Sequence, residues 1–252
     1  NSFVLLYGNA DLKEELSFLD KEYFSEYEKS EKKVEIPLQK AFQSRKSAEN
    51  YYSVPVGADT KDQTFLSYSF VAGLNRDQEL VMALDVLSDA LVNHQSSPLR
   101  LALQEANIGK DVYAWVDDSK QNVFSIIVKN ANPEDQEEFE KILFNSLNDA
   151  VENGFDDETI EGIVNRTEFR LREGNTPHKG MMYLFSLKNS ILFGNDPYTG
   201  LEFEKPLAQL KSGIEKGMLE NILQNHFINN PHALMMVLKP KPGLENEMAQ
   251  KT

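Results

Sequence analysis

A chain of 252 residues with 40% hydrophobic content can bury a sizeable core, so a folded globular protein is expected. With 40 acidic against 26 basic residues the formal charge is −14, which makes nucleic-acid phosphates and anionic membranes poor partners and attracts cations. Cysteine is absent, so disulfides and thiolate metal sites are excluded, and no run approaches the ~20 apolar residues of a membrane span.

The sequence lacks an initial Met and enters FVLLY at residues 3–7, which reads as a strand; it begins like a piece of a longer polypeptide. Leu12, Leu16, Leu19 and Tyr23 then fall on one face of a helix that runs to about Phe24. Residues 25–50 are charged and without sustained period, as expected of a linker crossing a surface. Two strands follow, NYYSVPVG at 50–57 and TFLSYSFVAG at 64–73, and the polar stretch GADTKDQ between them has hairpin length. Asp77 is placed to cap a helix whose stripe is Leu80, Leu84, Leu87 and Leu91, ending near His94. Ser97 reads as the N-cap and Pro98 as the first turn of a short helix carrying Leu99 and Leu103. A second hairpin is expected from DVYAWV at 111–116 and NVFSIIVK at 122–129.

Asn132 and Pro133 start the clearest helix, with Phe139, Ile142, Leu143 and Leu147 at helical spacing and Gly154 at its end. Asp156 or Asp157 caps the next, in which Ile160, Ile163, Val164 and Leu171 face inward. Asn175, Thr176 and Pro177 break the chain before a helix containing MMYLFSL; two more helices, interrupted near Gly217, precede a last strand at 232–238. The opening NSFVLLYGNADLKEEL and the closing NPHALMMVLKPKPGLENEM share an asparagine, an apolar strand, a turn and an acidic helix start. The chain therefore reads as the tail of one domain followed by a nearly complete second copy of the same fold.

A zinc hydrolase needs two imidazoles on one helical face, as in H-x-x-E-H or H-E-x-x-H, and none of the four histidines supplies this. His226 and His232 are separated by FINNP, a helix-to-strand break, and His178 lies in a loop. His94 beside Ser96 and Ser97 suggests a nucleophile with its base, yet a third group must orient the imidazole and no G-x-S-x-G turn occurs. Phosphate-binding glycine motifs are also missing. The acidic pairs Asp117 with Asp118 and Asp156 with Asp157 suit a turn and a helix start.

SPLRLALQEANIG at 97–109 resembles the presequence-protease branch of the pitrilysin-type inverzincin metallopeptidases. The resemblance continues in family order through TEFRLREGNTP at 167–177, DPYTGLEFEKPLAQLK at 196–211 and NNPHALMMVLKP at 229–240. It implies an α+β fold: a mostly antiparallel sheet of about five to six strands covered by helices, LuxS/processing-peptidase-like. It also implies a division into residues 1–30 as the closing strand and helix of a preceding catalytic-type domain, a linker at 31–48, and the noncatalytic second domain at 49–252, leading toward a hinge.

In such enzymes the zinc and its general base belong to H-x-x-E-H in the first domain, so no cofactor and no catalytic residue carries over here, and zinc is expected only in the preceding domain of a parent protein. The expected function is a chamber wall and peptide-binding domain of a zinc endopeptidase that degrades short unstructured peptides; basic ones are favoured if the negative charge faces inward. A second-domain exosite maps onto His94, Gln95, Ser96 and Ser97 with the strand residues Val112, Tyr113, Ala114 and Trp115, where an extended peptide could add as a strand. Other partners are the remaining domains of the parent, and self-association through an orphan strand at 3–7. Neither nucleic acid nor membrane is expected as a partner. By resemblance the compartment is the bacterial cytoplasm or the mitochondrial matrix. A nonenzymatic scaffold domain of an inactive pitrilysin-like protein is the alternative, and an independent serine hydrolase using His94 is a third.

Overall fold

Strict alternation over Thr64–Leu74 (β2) and Gln121–Ala131 (β4) places Leu66, Tyr68, Phe70 and Ala72 beside Phe124, Ile126 and Val128 on one buried face. The computed structural model describes residues 3–28, 30, 35–174 and 177–249. Three further strands, Lys46–Val54 (β1), Asp111–Asp117 (β3) and Ala233–Pro242 (β5), complete a sheet of order β1-β5-β2-β4-β3. The expected α+β class and the β3–β4 hairpin are both present; every pairing is antiparallel except β1 with β5.

The expected hairpin of β1 with β2 does not form, because β5 lies between them, parallel to β1 and antiparallel to β2. The reason lies in composition. ALMMVL at the start of β5 is the most apolar strand segment and gains most from pairing on both sides, whereas Lys46, Ser47, Glu49 and Asn50 are exposed and suit an edge. Residues 3–7 form no strand either: they are mostly exposed, with Tyr7 edge-on against Tyr183 at 5.1 Å. No strand of the sheet pairs with them, and an isolated strand leaves its N–H and C=O groups to water. Of the expected linker, residues 31–34 lie outside the described residues, as do Asn175 and Thr176 of the expected break; 35–45 carry no regular structure and β1 starts at Lys46.

The helices follow their caps. Asp11 accepts from Lys13 and Glu14 N–H at the start of Leu12–Glu22 (α1), and Asp77 accepts from Leu80 N–H at the start of Gln78–Ser88 (α2). Helix α2 widens into a π-helical turn, Asp89–Asn93, before Pro98–Glu105 (α3). Asn132 and Asp135 form a capping box ahead of Gln136–Asn153 (α4), and Asp156 caps Asp157–Glu173 (α5). Lys179–Phe193 (α6), Glu204–Ile214 (α7), Met218–Leu223 (α8) and Leu244–Ala249 (α9) follow, with Gly217 left-handed at φ 76° between α7 and α8.

Helices α2, α4, α5, α7 and α8 bury their apolar stripes on one face of the sheet, where Phe227 stands 4.9 Å from Phe70 and 4.8 Å from Phe124. Each such fully buried side chain contributes about 1.5–3 kcal/mol. Helix α1 is different: none of its residues is buried, and Leu12, Leu16 and Phe18 are all more than half exposed. Its amphipathic stripe has formed as the spacing predicts but is not buried by any of the described residues.

Candidate functional site

The opposite face of the sheet is the one that positions the candidate site. An antiparallel sheet open to water on one side usually alternates apolar and polar residues. Here the second face carries Phe65 and Val71 on β2, Val123 and Ile127 on β4, and Leu234, Met236 and Leu238 on β5, all partly exposed and none packed into the core. Ser69 and Ser125 share a hydrogen bond of 2.7 Å at the centre of this face. Tyr113 and Trp115 project from β3 on the same side; the Lys129 ammonium lies 4.5 Å from the Tyr113 ring centroid, and Trp115 is 61% exposed. The alternation that sends these two outward sends Val112 and Ala114 into the core, so the four expected strand residues divide between two faces.

β3 is an edge strand, as strand addition requires, but its free edge is held by the chain itself. The Asn93 carboxamide accepts from Ala114 N–H at 2.8 Å and donates to Ala114 C=O at 3.2 Å, reproducing the two bonds that a neighbouring strand would make. Arg100 donates to Val92 C=O at 2.8 Å and also to Val112 C=O, and pairs with Asp111 at 3.4 Å. The N–H and C=O of Ala114 and the C=O of Val112 are thus already bonded within the chain, so a peptide strand added there would have to displace Asn93 or Arg100. Sequence reading missed Asn93 and Arg100. The arginine inside SPLRLALQE was a usable signal, because it stands beside the buried stripe of Leu99 and Leu103 with its side chain only 17% exposed.

His94, Gln95 and Ser96 form the turn next to this edge. His94 Nδ1 lies 2.8 Å from Ser96 Oγ, and Ser96 N–H points at the same nitrogen at 3.4 Å, so sequence neighbours do touch. Those are turn contacts. No carboxylate orients the other ring nitrogen among the described residues, and both groups stand on an open turn. Ser97 occupies the N-cap position without capping: its buried hydroxyl donates to Asp89 C=O at 2.8 Å, a carbonyl at the start of the π-helical turn. Gly109 closes the motif at φ 68°, and a Cβ there would lie 2.7 Å from Lys129 O.

His232 is buried against Phe42, 4.7 Å between centroids, and His226 is half-buried, with burial holding its imidazole below the usual histidine range. Among the described residues no group of three His, Cys, Asp or Glu side chains is placed to hold a metal ion, so these residues do not fit the zinc of a pitrilysin-type peptidase. No helix of the described residues is long and apolar enough to cross a membrane.

Comparison with known proteins agrees with this geometry. The family described as the Peptidase M16 inactive domain matches residues 1–167, and the chain belongs to that family. It is 38% identical over 250 residues to "Protein HypA" of Clostridium perfringens, covering 98% of this chain and 26% of that protein. It is 26% identical to Presequence protease 1, chloroplastic/mitochondrial, of Arabidopsis thaliana, over all of this chain and 24% of the relative. The chain thus spans about a quarter of the length of these relatives. Among solved structures, a protease from Helicobacter pylori superposes with a TM-score of 0.69 at 14% identity, over 92% of this chain and 53% of that one, which shows the shared fold.

Proposed function

We propose that this chain is a noncatalytic wall of a peptidase chamber, with the open sheet face turned toward unstructured peptides. The observation that carries the reading is the apolar character of that face, since a surface bearing Phe65, Ile127, Leu234 and Met236 without a helix over it is one built to be covered. Its family is that of an inactive domain, and presequence proteases are among its relatives. The zinc and the general base would then belong to another part of a longer parent.

Peptide contact is made by side chains such as Tyr113 and Trp115 and by the turn His94, Gln95 and Ser96, while the β3 backbone stays closed by Asn93 and Arg100. That closure favours one second reading, a scaffold domain that binds no peptide. Titration of the chain with a nonhydrolysed extended peptide, followed by NMR, separates the two. Shifts at Ile127, Leu234 and Trp115 are expected, with no cleavage of a fluorogenic peptide in added zinc; an unmoved sheet face supports the scaffold, and zinc-dependent cleavage overturns both.

A further inference from the structure

At the end of β3 the strand edge meets a groove of about 440 Å³, a volume in the range of small-ligand sites. Its walls come from α2, the β3–β4 turn, the C-terminal part of α5, α6 and the 195–203 loop, elements far apart in sequence. Met82, Leu171 and Phe203 supply an apolar lining, while Asp85, Asp118 and Glu202 supply carboxylates; no lysine, arginine or histidine lines it.

Two of its polar side chains, Asn189 and Asp85, keep acceptor oxygens without a donor from the described residues. Asn189 donates to Asp118 at 2.6 Å, which leaves its own Oδ1 buried without a partner. The Asp85 carboxylate takes part in no hydrogen bond or ion pair among the described residues, although Arg170 is near enough to act on it through space. Desolvation, opposed by Arg170 and reinforced by Asp89 and Asp118, pushes Asp85 up to about 6.

We infer that this groove is a subsite for an arginine side chain of a bound peptide. The inference rests on the peptide-wall reading above and names the class of side chain that the wall selects. An aliphatic stem suits the apolar lining, and a guanidinium with its five N–H donors suits several separate acceptors better than an ammonium does. The net charge of −14 draws such a ligand in. Trp115 lines the groove from the β3 edge and projects to the open face, so a peptide on that face reaches the groove around the end of β3 with one side chain.

Trp115 is the single tryptophan of the chain, so its emission is a local reporter. The test titrates the full chain with N-acetyl-arginine amide and with its uncharged isostere N-acetyl-citrulline amide, reading Trp115 fluorescence and the Asn189 side-chain amide by NMR. Arginine is expected to move both signals, citrulline to bind at least tenfold more weakly, and Asp85→Asn to weaken arginine at least tenfold. Asp118→Asn, at an exposed turn position, provides a second variant if the first folds poorly. Equal binding of the two ligands, shifts confined to residues outside the groove, or no response overturns the subsite. A citrulline peptide that still shifts Ile127 and Leu234 would leave the wall reading standing while the subsite falls. Arginine in the groove with no peptide on the sheet face would do the reverse.

Discussion

Asp85 shows how one residue links the groove to stability. The residue as a whole is exposed by area yet stands in a concave site crowded by protein, near Asp89 on the π-helical turn, Asp118 on the β3–β4 turn and Arg170 on α5. Desolvation is the first cause of its rise from the ordinary 3.8 to about 6. The sign follows from proton counting. Between these two values the folded chain holds a proton that the unfolded chain has released, so this group makes folding less favourable as pH rises through the window. Asp85→Asn removes that penalty. Counted in full, the shift is worth about 3 kcal/mol, but solvent contact reduces it, and a gain of about 1 kcal/mol at pH 7.5 is expected. Urea denaturation at pH 7.5 and pH 4 should show the gain at the higher pH and its disappearance at the lower; a pH-independent difference would mean that the charge is not its cause.

At the scale of elements, the β3 edge makes the sharpest expectation. Asn93→Ala leaves the N–H and C=O of Ala114 without their partner, so a loss of about 1–2 kcal/mol in denaturation is expected. The freed edge should also associate with other chains, seen as a concentration-dependent size in light scattering; a destabilised variant that stays monomeric would show that Arg100 alone keeps the edge closed.

Helix starts and stops were legible because their chemistry is local. Asp77, Asp156, Asn132 with Pro133, and Gly217 each act within four residues of their own position. The β3–β4 hairpin was legible for the same reason. Strand order was not, since the neighbour of β1 arrives almost at the end of the chain and no local signal announces it. Ser97 had the right residue type at the right position for a cap, and a carbonyl eight residues back took its hydroxyl instead. The motif at 97–109 marked the turn and strand of the candidate site, but the division of Tyr113 and Trp115 from Val112 and Ala114 depends on which face the helices cover, and the groove depends on five elements meeting.

For the whole molecule, two neighbours on β4 contrast the covered and open faces. Ile126 is fully buried under the helices, and Ile127 points to the open side. Ile126→Ala should cost about 2–5 kcal/mol, whereas Ile127→Ser should cost less than about 1 kcal/mol in the free chain while weakening peptide binding. Equal losses in chemical denaturation would mean that the second face is packed in solution and is not a wall.

The parallel pairing of β1 with β5 also sets an order in time. Lys46 meets Leu234 across nearly the whole length of the domain, so a ribosome releases the edge strand long before its neighbour exists. Until residues 233–242 emerge, β1 has no strand to lie against and β2 lacks one of its two partners. Closing so long a loop is entropically costly, so the sheet is completed late and slowly. During synthesis the half-built sheet leaves apolar strands and unpaired edges uncovered, the condition in which a nascent chain is most open to misassociation.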